Sequence, residues 1–181
     1  MIARWRMAKS GFAHEKNLAD HWITPSALLS RLGEFDLDPC ACELGQPWPT
    51  ASRMYTLPAE NGLLLPWFGR VWLNPPYGRE TSKWIERMAL HRNGLMLIFA
   101  RTETVTFQRL WQYADAIFFP KGRIQFFRYD GTLPETGSTA PSCVVAFGEH
   151  NVSALAHSGL CGALVNRWQN LNRNGVGQVC I

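Results

Sequence analysis

Apolar residues recur with two different periods along this chain, and the two periods predict helices that alternate with strands. Leu and Ala at helical spacing follow Thr24, Pro25 and Ser26, where Thr24 or Ser26 can cap a helix. Helical periodicity predicts helices over residues 27–32, 82–91, 106–114 and 154–168. Short apolar or β-branched runs predict strands over residues 35–38, 54–56, 70–73, 95–99, 116–119, 123–129 and 142–147.

The order of these elements predicts an α/β, Rossmann-like fold, with a mostly parallel sheet that ends in an antiparallel C-terminal hairpin. The strand–loop–helix–strand order of residues 70–99 requires a parallel crossover. A segment rich in Gly, Pro and Thr joins the last two predicted strands, which is typical of an antiparallel pair. We expect an N-terminal extension over residues 1–20, one domain over residues 21–149, and a partly disordered C-terminal extension over residues 150–181.

The composition is that of a globular, soluble chain with a mild preference for polyanions. Of its 181 residues, 46% are hydrophobic and 18% are charged, and the formal net charge is +4. No apolar stretch approaches bilayer length, so we expect no membrane span and a cytoplasmic protein. The five cysteines include no C-x-x-C pair, which predicts reduced thiols and no metal site.

The most informative segment is Asn74-Pro75-Pro76-Tyr77, directly after the predicted strand over residues 70–73. Strand interiors exclude a pair of prolines, so the strand must end and a rigid loop begin. The Asn74 side-chain oxygen and the carbonyl of Pro75 can accept hydrogen bonds from both N–H groups of an amine, such as that of adenine, and Tyr77 offers a face for a base. The alternative is a proline-rich turn without chemistry, but the place between a strand and a helix favours a catalytic loop.

This loop resembles that of amino-methyltransferases with a D/N/S-P-P-Y/F motif, and residues 22–147 resemble the phage-type, Dam-like DNA N6-adenine methyltransferases in particular. The matching segments are Trp22-x-Thr24-Pro25, Asp36-Leu37-Asp38-Pro39-Cys40-Ala41, Asn74-Pro75-Pro76-Tyr77 and Gly122-Arg123-Ile124-x-Phe126. The resemblance implies a Rossmann-like methyltransferase fold and site-specific methylation of adenine N6 in double-stranded DNA, with S-adenosylmethionine as cofactor and a flipped base. It also implies a phage or prophage protein acting in the cytoplasm of a bacterial host cell.

The end of the first strand is the expected cofactor site, although the glycine-rich F-x-G-x-G loop of most such enzymes is absent. Asp38 is the first candidate for a cofactor contact, because a carboxylate at a strand end can accept hydrogen bonds from a ribose or an amine. Glu60 and Asp36 are weaker candidates. Asp36 is equally consistent with a solvated acid. Trp22 either forms a wall of the cofactor site or belongs to the core. Thr24 either contacts the cofactor or caps the helix. The predicted cofactor-binding residues are Trp22, Thr24, Pro25, Asp38, Pro39, Cys40, Glu60 and Asn74.

Basic residues near the ends of later strands can contact DNA phosphates, or can form an ordinary solvated face. They are Arg101, Lys121, Arg123 and Arg128, of which Arg123 is also covered by the resemblance. The residues alone leave other substrates open: adenine in RNA, N4 of cytosine, or a glutamine amide in a protein. The missing glycine-rich loop also leaves open a degenerate, non-catalytic nucleic-acid-binding module. The oligomeric state is not predicted.

Overall fold

The computed structural model describes residues 22–134 and 140–168. The expected extension over residues 1–20 and the last part of the C-terminal one, residues 169–181, lie outside the described residues. In chain order the elements are α1 (Ser26–Leu32), β1 (Leu37–Asp38), β2 (Arg53–Met54), β3 (Val71–Leu73), α2 (Thr81–His91), β4 (Gly94–Phe99), α3 (Val105–Gln108), α4 (Leu110–Tyr113), β5 (Ala116–Pro120), β6 (Ser142–Phe147), α5 (Glu149–His157) and β7 (Gly162–Val165).

These strands form one sheet, in the order β2-β1-β3-β4-β6-β5-β7. The pairs β2–β1, β1–β3 and β3–β4 are parallel, whereas β4–β6, β6–β5 and β5–β7 are antiparallel. The predicted α/β, Rossmann-like fold is confirmed, with parallel strands in the first part of the chain and antiparallel strands after them.

Helices cover both faces of the sheet. Along β6, Val144 and Ala146 pack on one face, whereas Cys143, Val145 and Phe147 pack on the other, because successive side chains of a strand point in opposite directions. Buried residues of α1 and α5 cover the first face, and those of α2, α3 and α4 cover the second. Burial on both faces explains why the central strands are apolar throughout.

The unit predicted from residues 70–99 is confirmed as a parallel crossover, since α2 joins the parallel neighbours β3 and β4. Its helix buries Trp84, Ile85 and Met88, which the sequence places at helical spacing. β3 ends at Leu73 and runs parallel to β1, which ends at Asp38. The strand-end carboxylate and the proline-rich loop therefore begin at the same edge of the sheet.

The predicted hairpin is wrong in its first strand. Residues 123–129 form no strand, and a single antiparallel bridge joins Phe127 to Ile23 instead. β6 has β4 on one edge and β5 on the other, so neither edge is available to residues 123–129. Antiparallel pairing at this end of the sheet is confirmed, but its pairs are β4–β6, β6–β5 and β5–β7.

The predicted helix over residues 154–168 is also wrong. Helix α5 begins earlier, at Glu149, and ends at His157, with Ser158 as its C-cap and Gly159 next at a φ of 67°. Glycine at positive φ is a common way to end a helix. The chain then forms β7 along the edge of β5, so the sheet extends into a segment for which we expected little order.

Several predicted elements are shorter than expected. The strands over residues 35–38 and 54–56 reduce to β1 and β2, and the helix over residues 106–114 is interrupted at Arg109 between α3 and α4. The predicted cap by Thr24 or Ser26 is not formed, because Pro25 occupies the N-cap position of α1 without a side-chain hydrogen bond. Short strands leave more backbone for the loops that surround the site.

Candidate active site

A cavity of about 490 Å³ opens at the edge of the sheet where β1, β3 and β4 end. Ligand sites typically measure roughly 300–1,000 Å³. All the residues predicted for catalysis and cofactor binding line this cavity except Pro25. They are Trp22, Thr24, Asp38, Pro39, Cys40, Glu60, Asn74, Pro75, Pro76 and Tyr77.

The proline-rich loop is held at both ends by side chains from elsewhere. The Cys40 thiol donates to the backbone carbonyl of Asn74 at 3.2 Å, and burial raises the pKa of this thiol, so it stays protonated as a donor. Beyond the prolines, the Thr81 hydroxyl donates to the carbonyl of Pro76 at 3.0 Å and accepts from the N–H of Gly78 at 2.9 Å. Since the prolines themselves restrict φ, the loop is rigid over its length.

The Asn74 side chain is oriented by the backbone of Trp22. Its Nδ2 donates to the carbonyl of Trp22 at 3.2 Å, which leaves Oδ1 as the atom of this side chain that can accept from a ligand. Trp22 is 37% exposed and lines the cavity, so the alternative of a core tryptophan does not hold.

Tyr77 rests on the last residue of β4. Its ring is stacked on that of Phe99, with the centroids 3.9 Å apart and the planes at 10°. Burial of the hydroxyl raises the pKa of Tyr77, so the group remains a neutral phenol. With one face covered by Phe99, a stacked base has the opposite face of Tyr77 available.

Asp38 is a buried carboxylate on the cavity wall. It accepts hydrogen bonds from the Thr50 hydroxyl and from the backbone N–H of Cys40 at 3.0 Å. Burial raises the pKa of Asp38 to about 6, although both hydrogen bonds lower it. Asp38 is therefore mostly ionised at neutral pH, and a ligand that donates to it stabilises the charge.

Two buried polar atoms of the wall have no hydrogen-bond partner among the described residues: the Thr24 hydroxyl and the Trp72 indole N–H. Thr24 is only 1% exposed and Trp72 0%, and three further unpaired atoms, on Arg70, Arg87 and Ser142, belong to residues outside the wall. The Thr24 hydroxyl and the Trp72 N–H therefore lie behind the surface of the cavity. The Asp38 carboxylate can accept from a hydroxyl or an amine of a ligand.

Glu60 reaches the cavity from the loop after β2. Its carboxylate forms an ion pair with Arg53, whose guanidinium also donates to the carbonyl of Met54 at 2.6 Å and lies 5.1 Å from the centre of the Tyr55 ring. Arg53 therefore limits the movement of Glu60 and offsets part of its charge.

The sequence as a whole matches one family model. The model of the DNA N-6-adenine-methyltransferase (Dam) family matches residues 12–175. The chain belongs to this family. This match extends beyond residues 22–147, the range that contains the motifs described above. It shows that the chain is a DNA adenine methyltransferase. No curated protein and no solved structure matches the chain.

The basic residues predicted to contact DNA lie outside the cavity wall of this methyltransferase. Arg101, Lys121, Arg123 and Arg128 are all exposed. Arg101 follows β4 two residues after Phe99, and the other three flank Phe126, so both segments carry a residue of the wall. They place positive charge on loops that adjoin the cavity.

Two other candidates lie away from the cavity. Pro25 is the N-cap of α1 and does not line the wall. Asp36 is not a wall residue either; its carboxylate accepts from the backbone N–H of Arg70 at 2.6 Å. Asp36 is exposed, so it fits the solvated acid of the alternative interpretation, and its hydrogen bond links the start of β1 to the start of β3.

Sequence reasoning missed several residues that shape the site, among them Thr50, Gly62, Trp72, Thr81 and Phe99. Phe99 could have been found, because it ends a predicted parallel strand and such ends meet at the site. Thr50 and Gly62 lie in loops without periodicity, and Trp72 reads as an ordinary apolar strand residue, so no local signal marks them.

Within residues 22–134 and 140–168, no helix is long and apolar enough to cross a bilayer. The same residues contain no cluster of three or more His, Cys, Asp or Glu side chains that could hold a metal ion.

Proposed function

We propose that the protein transfers a methyl group from S-adenosylmethionine to N6 of adenine at specific sites in double-stranded DNA, with the base flipped into the cavity. The observation that carries the proposal is the convergence of the Asn-Pro-Pro-Tyr loop and Asp38 on one cavity, in a chain of the DNA adenine methyltransferase family. Cofactor and base would meet there at the carboxyl edge of the sheet.

The wall chemistry supports S-adenosylmethionine as the cofactor. Asp38 would accept from its ribose or amine, and the apolar and aromatic residues of the wall would pack against the rest of the molecule. When bound, the cofactor supplies an electrophilic methyl group on a sulfonium. In this chain, which lacks the glycine-rich loop, residues 38–41 after β1 would hold the cofactor instead.

Asn74 and Pro75 would prepare the amine for attack. The lone pair of adenine N6 is delocalised into the ring, so the amine is a poor nucleophile. Oδ1 of Asn74 and the carbonyl of Pro75 would accept one N–H each, which favours a tetrahedral nitrogen whose lone pair is available. The contacts of the loop with Cys40 and Thr81 would keep both oxygens in place before the base arrives.

Tyr77 would receive the flipped base on the face that Phe99 leaves open. Extrusion of a base from the duplex costs a few kcal/mol, and stacking on an aromatic side chain returns about 1–3 kcal/mol. The exposed residues Arg101, Lys121, Arg123 and Arg128 would contact the flanking phosphates.

Methyl transfer to mixed nucleic acids tests the substrate. The protein is incubated with labelled methyl donor and, separately, with duplex DNA, RNA and a glutamine-containing peptide, and the labelled nucleosides or residues are then identified. We expect N6-methyladenine in DNA. Label in N4-methylcytosine, RNA or peptide would reassign the substrate, and titration calorimetry without cofactor binding would support the degenerate module.

The salt dependence of DNA binding tests the basic residues. Each phosphate contact releases counterions, so Arg128→Gln should reduce the slope of log K against log salt by about 1. Arg31→Gln, on α1 and outside the cavity wall, is the matched control and should leave the slope unchanged. Equal slopes for both variants and the wild type would remove Arg128 from the interface.

A further inference from the structure

The Asn74 side chain has a backbone partner that requires a proton donor. Nδ2 of Asn74 donates to the Trp22 carbonyl at 3.2 Å. An aspartate has the same shape, but an ionised carboxylate has no proton to give and would face the carbonyl oxygen at this distance. Asparagine and aspartate are therefore not equivalent at this position, although both can accept from an amine.

The Trp22 carbonyl is itself held firmly, because the segment over residues 22–24, which we call the strap, is anchored to other parts of the chain. Ile23 and Phe127 exchange two backbone hydrogen bonds, of 2.8 and 3.0 Å. The Trp48 indole N–H donates to the Thr24 carbonyl at 2.9 Å, and the Trp48 ring packs edge-on against Phe127 with centroids 5.1 Å apart.

We infer that the Trp22 carbonyl positions the Asn74 amide for catalysis and thereby makes asparagine, rather than aspartate, the residue that this active site requires. The inference rests on the proposed function. The strap fixes the carbonyl, the carbonyl fixes Nδ2, and Oδ1 is left aimed to accept from the substrate amine. Trp22 acts as a positioning residue through its main chain, whatever its side chain contacts.

The test compares Asn74→Asp and Asn74→Ala with the wild type in single-turnover assays from pH 8.5 to 5.5. At pH 8, Asn74→Asp should be at least tenfold slower than the wild type. As pH falls, the introduced acid gains a proton, can donate to the Trp22 carbonyl and can still accept through its other oxygen. Its rate relative to the wild type should then rise about tenfold for each pH unit, until the acid is protonated.

Other titrating groups of the cavity are controlled by taking the ratio to the wild type at each pH. The acidic groups on the wall are Asp38, Glu43, Glu60, the thiols of Cys40 and Cys42 and the phenols of Tyr55 and Tyr77, and all of them are present in every variant. Asn74→Ala should be slow at every pH, because alanine neither donates nor accepts. Cofactor binding and circular dichroism at each pH establish that the variants are folded.

A flat ratio, or an Asn74→Asp rate equal to that of the wild type, would overturn the inference while leaving the proposed function intact. Failure of the wild type to methylate DNA would instead overturn the proposed function. If Asn74→Asp does not fold at low pH, Trp48→Phe carries the test, since it keeps an aromatic ring but releases the strap at Thr24. It should lower kcat several-fold at saturating cofactor, and an unchanged kcat would count against the inference.

Discussion

The parallel and antiparallel halves of the sheet differ in how regular they are. In the parallel half, β1 and β2 have two residues each and are followed by long loops, residues 39–52 and 55–70, whereas β3 has three residues and is followed by the loop of residues 74–80. In the antiparallel half, β4 and β6 have six residues each and pair over their whole length, from Gly94↔Phe147 to Phe99↔Ser142. Every residue of β6 is buried.

The two halves of the sheet therefore have different roles: the antiparallel half contributes mainly to stability, and the parallel half carries most of the residues of the cavity. Long strands buried on both faces contribute much apolar burial and leave little backbone free. Short strands release their backbone into loops at the carboxyl edge, where β1 ends at Asp38 and the loop after β3 begins at Asn74. We therefore expect substitutions at the carboxyl edge of the parallel strands, which includes Phe99 at the end of β4, to change binding and rate. Substitutions within the antiparallel pairs should change stability.

The largest effect is expected for Asn74→Ala. Removal of one preorganised acceptor should lower single-turnover methylation by about a hundredfold or more, with cofactor affinity nearly unchanged. Val144→Ala, in the buried β6, is the matched change in the other half; it should lower the free energy of unfolding by about 1–3 kcal/mol at unchanged kcat. Near-normal turnover of Asn74→Ala would reject its role, and loss of folding would make it structural.

Asp38→Asn should alter the pH dependence of stability. Because burial raises the pKa of Asp38 to about 6, the folded protein binds a proton more tightly than the unfolded chain. Between pH 7 and pH 4 the wild type should therefore gain, relative to Asp38→Asn, on the order of 2–3 kcal/mol in the free energy of unfolding. Urea unfolding across this range, without cofactor, measures the difference, and parallel curves would contradict it.

Gly62→Ala and Gly162→Ala compare the same change in the two halves. A Cβ at Gly62 would overlap the backbone carbonyl of Pro39 in the cavity wall, and a Cβ at Gly162 would overlap that of Phe119 between β5 and β7. Both variants should lose stability. Only Gly62→Ala should weaken cofactor binding, by about tenfold, because the displaced Pro39 backbone would no longer contact the cofactor. Thermal melts and calorimetry measure the two effects, and equal cofactor affinities would contradict the separation.

The smallest effect is expected for Phe99→Leu, which removes the ring beneath Tyr77 but keeps an apolar side chain. Aromatic pairs contribute about 0.5–1.5 kcal/mol, so the KM for DNA should rise by roughly two- to tenfold. Phe118→Leu, on β5 and in the core, is the control: it should lower the melting temperature and leave this KM unchanged. An unchanged KM in Phe99→Leu would mean that Tyr77 keeps its position without the stack.

Local patterns were sufficient to predict the proline-rich loop after β3 and most of the helices and strands. Two prolines after an apolar strand must end it, and a helix with Trp84, Ile85 and Met88 on one face must pack on a sheet, whatever the rest of the chain does. The convergence of Asp38 and the Asn74 loop also followed, since parallel strands end at one edge.

Strand partners were decided only in the tertiary structure. Residues 123–129 have a strand-like composition, yet β6 is occupied on both edges, and the segment holds the strap through Phe127 instead. The segment after His157 joins the sheet as β7 for the same reason: an open edge of β5 is available to it. Pairing depends on which edges are free, and a local pattern carries no such information.

From its sequence alone, this protein could be expected to have an α/β fold, an Asn-Pro-Pro-Tyr loop at a strand end and a carboxylate beside it, because each depends on neighbouring residues. The tertiary structure alone placed Phe99 under Tyr77, Gly62 against Pro39, and the Trp22 carbonyl on Asn74. These contacts join residues far apart in the chain, and they form only because the packing of the sheet and its loops brings them within reach.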